Sequence, residues 1–416
     1  MRAGRQSFFA EHPIYLRSSY TIVGPKEGDG NFGDRFDTVL PDDLWGERSY
    51  EKAESKMHRE AVRGAVCLAG CDADGIDVCL AGDLLNEISA SGLAMRYFKS
   101  PFLGLYNACA TFAEAVIVGS ALIDCGMART AACSSSSHFA SAERQYRYPL
   151  ELGNQRTPTS QWTVTGAGCS VLSSVRPTTE DDEECRTHFK EKMKAMRDEC
   201  MRAASAEDSE CGKGGGIENP FAKRGGDALE RMKHKLLRTL RPASLIEPDC
   251  DLAYRRTHIV KITGGTLGKV TDFGIDDESN MGGAMAPAAA DTLIAHLEDT
   301  GRTPGYYDAI VTGDLGRFGT EAFCYLLSKE GITLDNHFDC GAGFFKPEQK
   351  TFQGGSGAGC VNVVFNGHIV KLMERGELGR VLVIATGALL NKDTPLQKEN
   401  IPGIAHAFTA ESEPYV

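Results

Sequence analysis

The sequence predicts an α/β fold of two duplicated halves, and three observations carry that prediction. Strand-like and helix-like segments alternate over residues 1–177 and again over 252–416. IDVCLAGDLL at 76–85 is matched by YDAIVTGDLG at 307–316. The helix ending in DCGMARTAAC at 124–133 is matched by one ending in ERGELGRVLV at 374–383. Helix, glycine, basic residue and strand thus recur in one order, as an internal duplication requires.

In the first half, Ala53, Met57, Ala61, Ala65 and Leu68 recur at helical spacing and predict a helix over 51–71. The strand at 76–85 follows, then a helix from about Ser89 to Phe98. Phe112 to Cys125 is apolar almost all round, which predicts a buried helix leading through Gly126 into the small-residue strand RTAAC. SQWTVTGAGCSVLSS reads as one strand closing this half. Residues 178–251 break the rhythm with 17 acidic and 14 basic residues and a GKGGG run. They are expected to form a charged, partly disordered insertion at the junction, with amphipathic helices over Glu183–Ala204 and Asp227–Leu240. The strand THIVKITGG opens the second half. Helices at Asp291–Leu297, Phe323–Lys329 and Val361–Arg375 and the strand RVLVIATGALL continue it.

With 45 basic and 57 acidic residues the net charge is -12, which argues against a broad nucleic-acid-binding surface. Any anionic ligand has to be held by a focused pocket. The N-terminal MRAGRQSFFAEHPIY lacks the apolar run of an export signal, and no apolar stretch approaches the roughly 18 residues of a membrane span, so the chain is expected to be soluble once made. Its 14 cysteines are therefore read as thiols, with Cys67, Cys79 and Cys133 in apolar surroundings that predict burial. Cys185, Cys200, Cys211 and His188 are too irregularly spaced for a zinc knuckle, and no metal cofactor is expected.

The blocks EHPIY, TIVGPKEGDGNFGDRFD, AGDLLN, SSSHFASAERQYRYP, WTVTGAG, GKVTDFGI, NMGGAMAPAAADT, VTGDLG, GGSGAGC and IPGIAHAF occur in one order along the chain. Together with the duplication they resemble the thiolase superfamily and, within it, the stage V sporulation protein AD family. The resemblance implies two pseudo-symmetric α/β halves in layers of helices and sheets. It implies binding of dipicolinic acid, pyridine-2,6-dicarboxylate, in support of its uptake into the developing spore. It also implies integral membrane stage V sporulation proteins as partners, a place at the forespore or spore inner membrane, and calcium only as a companion of the ligand. A homodimer is expected through the strand after the nucleophile helix, roughly Arg129 to Ser135.

In the superfamily a nucleophilic cysteine precedes the buried helix of the first half, and here that position is Cys109, where helix amides and dipole favour a thiolate. Its readings are a buried thiol, a ligand contact or a covalent nucleophile. Where condensing enzymes carry a histidine motif the chain has GDLG with Asp314, and where they carry a Gly-Asn loop it has GGSGAG with Gly355 and Ser356. The condensation machinery is thus expected to be lost, an acyltransferase or condensing enzyme remaining the alternative. Asp83 and Asp314 close equivalent strands and are read as contacts to a ligand or a cation, or as helix caps, with Asn86 beside Asp83. Backbone amides of GGSGAG, the basic residues Arg144 and Lys269, and His138 are candidates for the ligand carboxylates. Tyr146, Tyr148 and Trp162 either wall a ring slot or pack in the core. His12, in EHPIY, is expected to tie the N-terminal segment across the body.

Overall fold

Ser7–Val23 forms a long central strand, β1, whose residues 14–23 are almost wholly buried, as suits a strand covered on both faces. The computed structural model describes residues 1–71, 75–146, 156–185, 187, 189–191, 256–391 and 393–415. After β1, Ser49 accepts a hydrogen bond from the Lys52 backbone and starts α1 (Tyr50–Leu68), which buries Ala53, Met57, Ala61 and Ala65 on one face. There follow β2 (Val78–Gly82), β3 (Phe102–Gly104), α2 (Thr111–Asp124), β4 (Thr130–Ser137), α3 (Phe139–Tyr146) and β5 (Gly166–Ser173). The second half repeats the series with β6 (His258–Thr266), α4 (Met281–Thr300), β7 (Ala309–Thr312), α5 (Gly316–Lys329), β8 (His337–Asp339), α6 (Ala358–Val364), β9 (Arg380–Ala388) and β10 (Gly403–Pro414).

These strands hydrogen-bond in the order β8-β7-β9-β10-β6-β1-β5-β4-β2-β3. Read outward from the β6–β1 seam, both sides are the same: two antiparallel pairings and then two parallel ones. The duplication seen in the sequence is therefore a pseudo-twofold relation with β1 and β6 at its centre. Their antiparallel register shifts between Phe9 and Ile14. There the Asp124 carboxylate, at the end of α2, accepts from the backbone N–H groups of Glu11 and His12, and His12 Nδ1 lies 3.1 Å from it. EHPIY does tie this strand across the body.

Helix α2 packs against strands of both halves, burying Phe112, Ala115, Val116 and Ile117. Its counterpart α6 continues through a π-helical turn at Phe365–Ile369 into a last helical stretch, Val370–Glu374, so the long helix expected at 361–375 carries a bulge. Two buried asparagines face the first-half sheet here. Asn362 donates to the Ser135 and Gly168 carbonyls, and Asn366 accepts from Ser170 Oγ at 2.7 Å. A Cβ at Gly168 would lie 2.4 Å from Asn362 Oδ1, so only glycine admits this contact.

Two sequence-based expectations need correction. SQWTVTGAGCSVLSS is not one strand: Trp162–Thr163 pairs with Gly355–Ser356 of the other half, and the main-sheet strand begins at Gly166. The break is held at Thr165, whose N–H donates to the buried Glu27 carboxyl. Strand β4 cannot offer an edge to a second copy, because β2 and β5 occupy both of its sides. The first described part of the segment expected as an insertion over 178–251 docks on the body: Phe189 is buried in the core cluster of α1 and its ring lies 5.9 Å from that of Tyr20. The remainder of that segment, including Cys200, Cys211, His188 and the second amphipathic helix, lies outside the described residues. Among the described residues no helix is long and apolar enough to cross a membrane, the cysteines are free thiols, Cys67, Cys79 and Cys133 being buried, and no cluster of three or more metal-ligating side chains occurs.

Phe189 anchors the segment that follows the first half. Phe189→Ala should lower the unfolding free energy by about 3–5 kcal/mol, the usual cost of emptying a buried phenylalanine site, measured by urea denaturation. An effect close to zero would detach this residue from the core.

Candidate functional site

The chain leaves β3 and turns at Ala108, whose φ of 50° is left-handed for a residue with a side chain. Thr111 holds the turn: its hydroxyl accepts from Asn107 N–H at 3.0 Å and donates to the Ala108 carbonyl at 2.7 Å. This places Cys109 just before α2, buried, in a small cavity of about 30 Å3 with Leu84, Tyr106, Tyr146, Thr163, Ser356 and Gly357 among its walls. Such a volume suits a water molecule and is too small for a substituted aromatic ring.

Asp314 reaches this site from the end of β7. One carboxyl oxygen accepts from Thr386 Oγ1 at 2.7 Å, the other from Gly357 N–H at 2.9 Å, and the Cys109 thiol also bonds to the carboxyl. Burial pushes Asp314 up to about 7, against the pull of those three donors. The neighbour of the thiol is thus a carboxyl, where an activated thiolate calls for a cation. The backbone follows: Gly357 sits at φ 109° to aim its N–H at Asp314, a conformation open to glycine.

The other expected residues divide. Asp83, the pseudo-symmetric partner of Asp314, turns to its own loop and accepts from Leu85 N–H, Ser91 N–H and Ser91 Oγ, so its carboxylate is a local cap. Asn86 accepts from the Gln145 side chain at 2.8 Å and lines neither cavity. In GGSGAG, the Gly357 and Gly359 amides already donate to Asp314 and Ser137, which corrects the expectation of an open nest of donors. The Gly355 carbonyl accepts from Gln161. Ser356 lines the Cys109 cavity, and its buried hydroxyl has no hydrogen-bond partner among the described residues. His138 donates from Nε2 to the Asp43 carbonyl at 2.7 Å and accepts at Nδ1 from Ala140 N–H. It lines a different pocket, as does Arg144, which lies 3.6 Å from Glu51. Lys269 stands at the surface, 3.3 Å from the Asp291 carboxylate, with 61% of its side chain exposed, away from the lining of either cavity. Tyr146 walls the Cys109 cavity and bonds to the Leu84 carbonyl, and Trp162 lies in the other pocket. Tyr148 lies outside the described residues.

Sequence reasoning missed Asn107 and His406. His406 Nε2 lies 3.2 Å from the Asn107 amide and its Nδ1 lies 3.1 Å from Gly268 N, while burial lowers the imidazole to about 4 and keeps it neutral. Asn107 also bonds to Glu114, whose carboxyl burial raises. The two signals were available, since Asn107 stands two residues before Cys109 and His406 is the histidine of IPGIAHAF.

A family model described as Stage V sporulation protein AD (SpoVAD) matches residues 4–184 and 250–411. The Stage V sporulation protein AD of Bacillus subtilis (strain 168) is 36% identical over 409 residues, covering 98% of this chain and 97% of that protein. Among solved structures, Xanthomonas campestris OleA in a variant bound with cerulenin aligns at a TM-score of 0.51 and 13% identity, covering 97% of both chains. An OleA variant with one cysteine replaced by alanine aligns at 0.52 and 13%, covering 97% of this chain and 98% of that one. The layered α/β architecture is thus the thiolase-like fold.

The raised Asp314 sets a pH dependence. A carboxyl that binds its proton more tightly when folded stabilises most below the ordinary carboxylate range and loses that contribution as pH rises to about 7. Urea denaturation at stepped pH should show stability falling across this interval, and Asp314→Asn should flatten the limb in part, because Glu27 and Glu54, both pushed up to about 8 mainly by burial, share it. An identical profile in the variant would place the proton elsewhere.

Proposed function

The chain belongs to the stage V sporulation protein AD family, and from that premise we propose that it binds dipicolinate without covalent chemistry, assisting its uptake into the developing spore. In this reading it works at the face of the forespore or spore inner membrane with integral stage V sporulation proteins as partners. The single observation that carries the non-catalytic part is the Cys109–Asp314 contact. Acyl transfer needs a thiolate with an electropositive setting and a group that stabilises charge on the thioester oxygen. Here the group bonded to the thiol is a carboxyl, and the nearby amide of Gly357 is committed to that carboxyl. The cavity of about 30 Å3 leaves no room for an acyl group as it stands.

A second reading has its own support. Cys109 follows a left-handed turn and precedes a buried helix, and OleA shares the fold, so cysteine-dependent acyl transfer is the alternative. Incubation with acyl and malonyl thioesters, followed by peptide mass analysis, separates the two. We expect no acyl mass on Cys109 and no condensation product. Turnover that is lost in Cys109→Ala would establish the second reading.

The binding part predicts recognition of both carboxylates. Calorimetry should show dipicolinate binding roughly tenfold or more tightly than pyridine-2-carboxylate, since losing one charge-assisted hydrogen bond costs about 1.5–3 kcal/mol. Equal affinities would remove the two-anchor description.

A further inference from the structure

The block GKVTDFGI at 268–275 lines neither of the two cavities, although it is one of those on which the family resemblance rests. It follows β6 and is laced to the segment that opens β10. Thr271 exchanges both backbone hydrogen bonds with Gly403, at 2.9 and 2.7 Å, and the Ile401 N–H donates to the Ile275 carbonyl at 2.7 Å. The Asn400 amide donates to Asp272 Oδ2 at 3.2 Å, and the Gly268 N–H donates to His406. A surface strap fixed by this many bonds needs little ordering when something docks on it.

Ile275 and Ile401 turn inward and pack with the second-half core. Leu267, Val270 and Phe273, three residues apart, turn outward instead and are 50%, 59% and 65% exposed. Leu396, on the short helix Asp393–Gln397 shortly before Asn400, is 76% exposed. Single exposed apolar side chains are ordinary on a folded surface. Four of them on two segments that are hydrogen-bonded together make a patch, and such patches mark interfaces.

The rim of the patch is acidic. Asp272, Asp276, Asp277, Asp393 and Glu399 are exposed. Asp272 and Asp277 also cap their own turns, accepting from Gly274 N–H and Ser279 N–H at 2.9 Å, so their charges are fixed in place. Among the described residues of the two segments the cations are Lys269, already engaged by Asp291 at 3.3 Å, and Lys398. This balance selects the occupant. An anionic lipid surface is repelled, and two copies meeting through this same patch would bring like charges together. A polypeptide whose apolar side chains are flanked by Lys and Arg is complementary on both counts. That is the composition found at the cytoplasmic ends of membrane-spanning helices, where Lys and Arg accumulate.

We propose that the face formed by residues 267–275 and 393–400 docks a Lys/Arg-flanked apolar segment of an integral membrane partner, with Val270, Phe273 and Leu396 as anchors and the five carboxylates steering its approach. The assignment rests on the partner reading above and supplies the surface that reading lacks. It puts docking outside both cavities, so docking and ligand binding are separable.

Flotation of the full chain with phosphatidylcholine vesicles carrying reconstituted integral stage V sporulation proteins tests the proposal, with protein-free vesicles rich in phosphatidylglycerol in parallel. The unmodified chain should float with the protein-bearing vesicles, and less so as salt is raised. The double variant Val270→Ala, Phe273→Ala should bind them roughly tenfold or more weakly, because two apolar anchors are withdrawn. Asp276→Lys with Glu399→Lys leaves the anchors and both caps in place, should weaken binding as well, and stands in if the first variant does not fold. Dipicolinate calorimetry should give the same result for either variant as for the unmodified chain. Capture that survives both variants would overturn the location alone. Failure of the unmodified chain to float with the partner proteins would overturn the partner reading, and the location with it. Flotation with the phosphatidylglycerol vesicles that the double variant abolishes, or a dimer in sedimentation that it dissociates, would assign the patch to lipid or to a second copy and overturn the proposal.

Discussion

The burial of one carboxyl group between the two halves organises the centre of this molecule. Asp314 comes from the second half, as do its donors Thr386 and Gly357, while the thiol that reaches it comes from the first. A carboxyl in that position must be satisfied from every side, since an unpaired buried charge costs several kcal/mol. The left-handed Gly357, the close of β7 against β9 and the turn at Ala108 that delivers Cys109 all serve this requirement. The consequence is chemical. In a scaffold whose relatives in fold include OleA, the place suited to a nucleophile holds a hydrogen-bonded thiol in a space fit for water.

Much of the fold was legible because periodicity and duplication are local or one-dimensional signals. The helix at 51–71 appears as Tyr50–Leu68, and the paired GDL strands occupy equivalent places on either side of the β1–β6 seam. What escaped depends on non-local pairing. Nothing in SQWTVTGAGCSVLSS marks the break at Thr165, which is set by Glu27 more than a hundred residues earlier in the chain. The interior position of β4 was hidden for the same reason, since small residues suit both a close-packed interior and an edge. Phe189 sits in a run so charged that its anchoring role is visible only through its contact with α1 and Tyr20.

The site shows a subtler limit. Asp83 and Asp314 are equivalent by sequence and by strand, yet one caps its own loop and the other spans the halves. The difference lies in their neighbours: Ser91 offers Asp83 a hydroxyl and an amide, while Asp339 takes the Leu315 and Gly316 amides and frees Asp314 for Gly357. Duplication preserved the framework and let the two loops diverge. Likewise His138 and Arg144 could be named as candidates from SSSHFASAER, but which of the two sides of α3 they occupy follows from helical phase against a strand that had itself been misread.

These relations make the protonation state of Cys109 the most direct measure of the account. Difference spectra between the unmodified chain and Cys109→Ala, followed by thiolate ultraviolet absorbance as pH is raised, isolate that one thiol. The account predicts that Cys109 stays a thiol through neutral pH, because the group bonded to it is a carboxyl and not a cation. A Cys109 thiolate already present at neutral pH would contradict it and restore the nucleophile.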